Sequence, residues 1–157
     1  MEVATLKQLK SGMTKQAVES LIGKVDRSDE KSSYYKIENQ GQQNELKLSW
    51  KDMKLFEAEV LFDPPLDALT ILGTGKQFEL LGPTETNLDT VSSEWIIGEP
   101  RTGQKWILST QLKLIGWSLG KAWKSGKKKT SITEIHKEIV SNVTNTSTKR
   151  IQRKKDE

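Results

Sequence analysis

The chain has no cysteine. Disulfides, thiolate metal sites, a cysteine nucleophile and a lipid-bearing cysteine are therefore excluded for the sequence as written. It has one histidine, His136. A histidine-based triad would have to use that residue, and a metal site would need a carboxylate cluster, whose spacing does not occur. Ser131, Glu134 and Glu138 stand near His136, but closeness within one element supplies no triad geometry. No apolar run nears the ~20 residues of a membrane span, and Met1 to Lys7 lack the apolar core of a secretory signal. The expectation is a soluble protein without a transmembrane segment, cytoplasmic as written, or of the cell envelope if Met1 stands where a leader was removed.

What the chain does have is polar and unevenly charged. Its 157 residues suit one ordinary domain or two small, closely packed subdomains, with 34% hydrophobic and 29% charged residues. Residues 1–120 carry 14 Lys/Arg against 17 Asp/Glu, and residues 121–157 carry 11 against 4. The basic excess falls in two clusters. Lys121, Lys124, Lys127, Lys128 and Lys129 form the first, and Lys149, Arg150, Arg153, Lys154 and Lys155 the second. Such clusters meet phosphates or anionic lipid, or they only solubilise a turn and a tail.

Two stretches read as imperfect copies. One begins at Ser11 and reaches Gly23, and the other begins at Thr86 and reaches Gly98. Each is followed by strand-like sequence up to a Trp-Lys pair, Trp50-Lys51 and Trp123-Lys124. The offsets, 98 − 23 = 75 and 123 − 50 = 73, are close to one period. Val3, Leu6 and Leu9 suggest a first short helix ending near Gly12. Thr14 is placed to cap a second, with Ala17, Val18, Leu21 and Ile22 on one face and Gly23 at its end. Alternation then predicts strands at Ser32 to Ile37, Glu45 to Trp50 and Leu55 to Phe62, joined by turns in residues 38–44 and 51–54.

Asp63-Pro64-Pro65-Leu66 breaks the pattern and is taken as a junction. Residues 68–72 and 77–81 fit a hairpin, or a short helix for the first piece. From Thr86, a capping-box pattern with Leu88, Val91, Trp95 and Ile96 predicts a helix stopped by Gly98 and Pro100. Trp106, Leu108, Thr110, Leu112 and Leu114 predict one long strand, and residues 116–123 continue the sheet. Residues 131–139 fit either element; their repeat counterpart, Leu55 to Phe62, argues for a strand. Residues past Ser141 read as a disordered tail.

Gly12-Met13-Thr14 through Leu21-Ile22-Gly23-Lys24-Val25 resembles the SmpA/OmlA (BamE-like) domain family, with Val25 where that family usually has proline. The second copy keeps Ile97-Gly98-Glu99-Pro100 but lacks Gly-Met-Thr. Tandem copies of such a unit are the plan of the beta-lactamase inhibitor protein fold, which the whole chain resembles in outline. The resemblance implies an α+β fold, a tandem repeat of short helices packed on one face of an antiparallel sheet. Its units would span residues 1–63 and 64–140, followed by a basic tail at 141–157. It also implies binding to other proteins.

Other candidate chemistry is thin. Gly73-Thr74-Gly75-Lys76 looks like the end of a phosphate loop, but Thr70 and Gln77 stand where that motif needs glycine and a hydroxyl, so a turn is the better account. Glu57 and Glu59 share the wet face of a strand, as surface charges do. Five tryptophans leave a surplus of aromatics on the expected sheet. Tyr34, Tyr35, Trp50, Trp106, Trp117 and Trp123 are therefore candidate partner-binding residues on an open sheet face. The expectation is a non-enzymatic module that binds a protein partner without a cofactor. The alternative is a nucleic-acid-associated protein in which Lys121, Lys124, Lys127, Lys128 and Lys129 meet phosphates while Trp117 or Trp123 stacks on bases.

Overall fold

The computed structural model describes residues 1–84 and 94–142. A 3₁₀ helix (Val3–Gln8) and a helix α1 (Lys15–Ile22) precede strands β1 (Arg27–Ser28), β2 (Ser32–Asn39), β3 (Gln42–Lys51) and β4 (Lys54–Asp67). Helix α2 (Ala68–Leu72) leads to β5 (Gln77–Pro83), β6 (Glu94–Glu99), β7 (Gln104–Ser109), β8 (Lys113–Leu119) and β9 (Lys129–Ser131). Residues 132–142 are helical (α3). The nine strands form one antiparallel sheet in the order β1-β2-β3-β4-β8-β7-β6-β5-β9.

This corrects the expected α+β fold of helices packed on a sheet. The molecule is mostly sheet, and its helices are few and short. Strands expected after residue 30 run longer than their alternation suggested, since the polar residues 38–44 are strand on both sides of a turn at Gln40 and Gly41, with φ of 50° and 79°. Backbone pairing tolerates polar side chains on a wet face, so polarity alone did not mark strand ends. Residues 63–66, expected as a junction, lie inside β4. There the ladder with β8 is irregular, and buried Asn44 donates to Asp63 O at 3.1 Å while Asn39 donates to Pro64 O at 2.6 Å.

Three further expectations change. Trp95 and Ile96 belong to β6 rather than to a helix, while Thr86, Leu88 and Val91 lie outside the described residues. Trp95 and Ile97 are buried and Ile96 faces the other way, so a period of two prevails over the helical spacing. Trp106 to Leu114 is two strands. Ser109 Oγ accepts from the N–H groups of Gln111 and Lys113, and Leu112 takes φ of 58°, which turns the chain inside an unbroken alternation. Residues 132–142 are helical rather than strand: Ile132, Ile135 and Ile139 are fully buried at spacings of three and four, and Ser131 Oγ accepts from Glu134 N at 3.4 Å. The expected tail lies outside the described residues beyond Asn142.

One face of the sheet forms the core. Phe62 stacks on Trp106 with centroids 6.4 Å apart, and Trp106 meets Trp117 edge-on at 6.3 Å, which joins β4, β7 and β8. Leu6, Leu9, Val18, Leu72 and the three isoleucines of α3 complete the same buried cluster. The opposite face carries the alternate side chains.

Candidate protein-docking face

Register sets the pattern of the opposite face. Leu61 pairs with Gly116, Gly116 with Ile107, and Ile107 with Ile96, so one apolar row crosses β4, β8, β7 and β6. A Cβ at Gly116 would meet Leu61 Cδ2 at 3.1 Å and Ile107 Cδ1 at 3.2 Å. The two side chains therefore lean over the glycine and form one strip. Leu61 is 69% exposed, and Ile107 and Ile96 are half-buried. A second, polar row runs alongside through Lys47, Glu59, Ser118, Lys105 and Gly98. Lys47, Glu57 and Glu59 make no ion pair among the described residues. Over these rows lies a groove of about 550 Å³ lined by Tyr34, Glu45, Lys47, Glu59, Leu61 and Ile107 among others. It adjoins a hollow of about 280 Å³ beside Glu57 and Lys105.

A strap of residues 120–128 follows β8 and is held at the end of the polar row. Trp123 N donates to Pro100 O at 3.0 Å, and its indole N–H donates to Glu79 Oε2 at 3.4 Å, which Ser125 Oγ also reaches at 3.1 Å. A Cβ on Gly98 would lie 2.6 Å from Trp123 Cη2. Gly98 is thus a seat for an indole ring within a strand, not the expected helix stop. Lys105 Nζ lies 5.4 Å from the centroid of the same ring.

The expected aromatic surface is narrower than its six residues. Trp106 and Trp117 are 1% exposed and Tyr35 is 4% exposed; all three are core, because they occupy the buried phase of β7, β8 and β2. Burial first, then the charges of Glu19 and Asp26, push the Tyr35 phenol above its usual value. Half-buried Tyr34 borders the groove, with the Arg27 guanidinium 3.8 Å from its ring centroid and paired to Glu45. Trp50 is half-buried at a separate place, where its N–H donates to Ser33 Oγ at 2.8 Å and Lys15 lies 5.9 Å from its ring. Lys121, Lys124, Lys127, Lys128 and Lys129 are exposed along and just after the strap.

Among the described residues no catalytic arrangement assembles around His136. Its Nε2 donates to Thr110 O at 2.7 Å, Ser131 caps α3, and Glu134 pairs with Lys137. Lys76 pairs with Glu99 at 3.0 Å, and Gly73 ends α2, whose N-cap Asp67 accepts from Thr70 and is thereby held below the usual carboxylate range. Among the described residues no group of His, Asp and Glu could hold a metal ion, and no helix is long and apolar enough to cross a membrane.

Leu61 and Ile107 were absent from the expected site. Their signal is present in the sequence: Leu61 falls in phase with Glu57 and Glu59, where the alternation calls for a polar residue. No family model matches the chain, and no curated protein or solved structure matches it either. The likeness to SmpA/OmlA domains rests on the residues from Gly12 to Val25 and from Ile97 to Pro100 alone.

Proposed function

We propose that this chain is a non-enzymatic protein-binding module whose open sheet face docks a partner, with Leu61 and Ile107 at the centre and Lys47, Glu57 and Glu59 at the rim. The carrying observation is Leu61. A leucine 69% exposed in the interior of a strand, continuous with Ile107 across Gly116, presents apolar area that a partner would gain free energy by burying. An apolar centre with a polar rim is the anatomy of a protein interface. Tyr34 extends the contact at the edge of the groove.

The nucleic-acid reading is supported by the exposure of Lys121, Lys124, Lys127, Lys128 and Lys129. It is weakened by the buried position of Trp117 and by the seat of Trp123 against Gly98, which commits the aromatics it needs for stacking. Capture from host lysate at ~50 and ~200 mM salt separates the two, since binding through about five phosphate contacts weakens steeply over that range. A protein partner retained at the higher salt by the wild type and lost by Leu61→Asp supports the docking face. Nucleic acid retained by Leu61→Asp and released by salt replaces it with the basic reading.

A further inference from the structure

Three local preferences are broken at one place, the turn between β3 and β4. Asp52 and Met53 take φ of 53° and 66°, a two-residue turn with both central residues left-handed, which calls for glycine where Met53 stands. The methionine side chain is also 72% exposed. Lys51 and Lys54 stand directly opposite each other as the pair that closes the turn, where like charges repel, and neither makes an ion pair among the described residues. The register then slips at Ser49 and Trp50, so that Leu55 takes the buried place and Phe56 is turned outward. Lys51 Nζ lies 5.4 Å from the centroid of the Phe56 ring. Each departure works against the fold, and each puts an apolar or cationic group into solvent at the same tip.

The end of the sheet behind this tip is basic as well. Gly12 N donates to Leu55 O at 2.7 Å and Thr14 bridges to Lys54, so Lys10 and Lys15 lie beside the turn. Ala58 pairs with Leu119, Leu119 with Gln104, and Gln104 with Glu99. Arg101 in the β6–β7 turn, with Lys121 and Lys124 on the strap, therefore stands farther back at the same end, and all three are exposed. The acids near the tip are fewer: Asp52, Glu57, and Asp29 and Glu30, which border a hollow of about 290 Å³ beside Met53 and Trp50. Asp29 is engaged by the N–H groups of Lys31 and Ser32. A turn tip is convex, and a protein that received it would need an apolar pocket with acidic walls. An anionic bilayer offers apolar depth and phosphate charge across its whole surface.

We infer that the β3–β4 tip seats on an anionic phospholipid surface, with Met53 and Phe56 entering the headgroup boundary and Lys51 and Lys54 meeting lipid phosphates. Arg101, Lys121 and Lys124 add to the attraction from behind. The contact lies at the end of the sheet and is independent of the face that carries Leu61.

The absence of cysteine from the sequence allows a single label. Met53→Cys in the full chain carries an environment-sensitive dye at the tip, and Gln40→Cys carries it at the β2–β3 turn, the far end of β3. The probes are vesicles of phosphatidylcholine alone and vesicles with about 30% phosphatidylglycerol. The anionic vesicles should bind the unlabelled chain about 10-fold or more tightly than the neutral ones in co-sedimentation, and should blue-shift the dye at position 53 but not at position 40. Met53→Ser with Phe56→Ser, and separately Lys51→Glu with Lys54→Glu, should each weaken that binding by about 10-fold or more. The thermal midpoint should hold in both, since all four positions are exposed. Binding that both tip variants retain, or a dye shift equal at the two positions, overturns the seating of this tip. No preference for the anionic vesicles overturns the lipid contact, as does a protein cross-linked from position 53 in host cells when vesicles leave the dye unshifted.

Discussion

Gln104 and Leu9 are 95 residues apart in the chain, and the buried side-chain amide of the first donates to the carbonyl of the second at 3.0 Å. The same amide nitrogen lies 3.1 Å from Leu6 O and 3.1 Å from Lys7 O. Leu6 O already accepts from Leu9 N at 3.1 Å, whereas the later carbonyls of a 3₁₀ helix lack an intrahelical donor, so a side chain on β7 supplies one to Lys7 O and Leu9 O. Gln104→Leu removes this donor from Lys7 O and Leu9 O, and we expect a loss of about 2–4 kcal/mol in urea unfolding. Hydrogen exchange should rise in residues 3–12 before it rises in β3.

Gly98 and Trp123 make a similar long-range fit. Gly98→Ala should cost about 1–3 kcal/mol and shift tryptophan emission, because the new methyl group meets the indole ring at 2.6 Å. Gly126→Ala is the control: nothing lies within 4 Å of its added carbon, so stability should change little.

Tyr35 gives a pH dependence with a definite sign. Its phenol is raised above 10.0 in the folded protein, so between that value and the folded one the unfolded chain binds fewer protons. The contribution is full below the unfolded value, and stability falls as pH rises through the window above it. In the Tyr34→Phe chain, absorbance near 295 nm should show the remaining tyrosine ionising above pH ~10. Tyr35→Phe should flatten the alkaline loss of stability.

Core and surface positions should separate cleanly. Trp106→Ala removes a ring packed on Phe62 and Trp117 and should cost about 3–5 kcal/mol. Leu61→Asp, at an exposed position, should leave the thermal midpoint nearly unchanged. A large loss of stability in that variant would mean that Leu61 serves the fold.

Much of the first half was legible from residue alternation. Leu46 and Leu48 on β3, and Ala58, Val60 and Phe62 on β4, are buried on one face as their spacing indicated, whereas Phe56, expected in the same phase, is 45% exposed and Leu55 is buried in its place. The Thr14 cap accepts from Ala17 N at 3.2 Å, and Gly23 has a φ of 83°. The second half misled because local signals were ambiguous. Trp95 and Ile96 fit a helical face until pairing with β7 placed them on opposite sides of a strand. Ile132, Ile135 and Ile139 carried a helical period that the repeat comparison overrode. The site was hidden differently. Tryptophan content drew attention to the surface, yet large rings are the best core fillers, and the open row is marked instead by one leucine in the wrong phase and a glycine beneath it.

The most direct measurement is carbene footprinting of the full chain with and without its captured partner. The account predicts reduced labelling at Leu61, Ile107 and Glu59, with Lys127 and Lys128 unchanged. Reduced labelling confined to Lys121, Lys124, Lys127 and Lys128, with Leu61 still fully labelled, would contradict it.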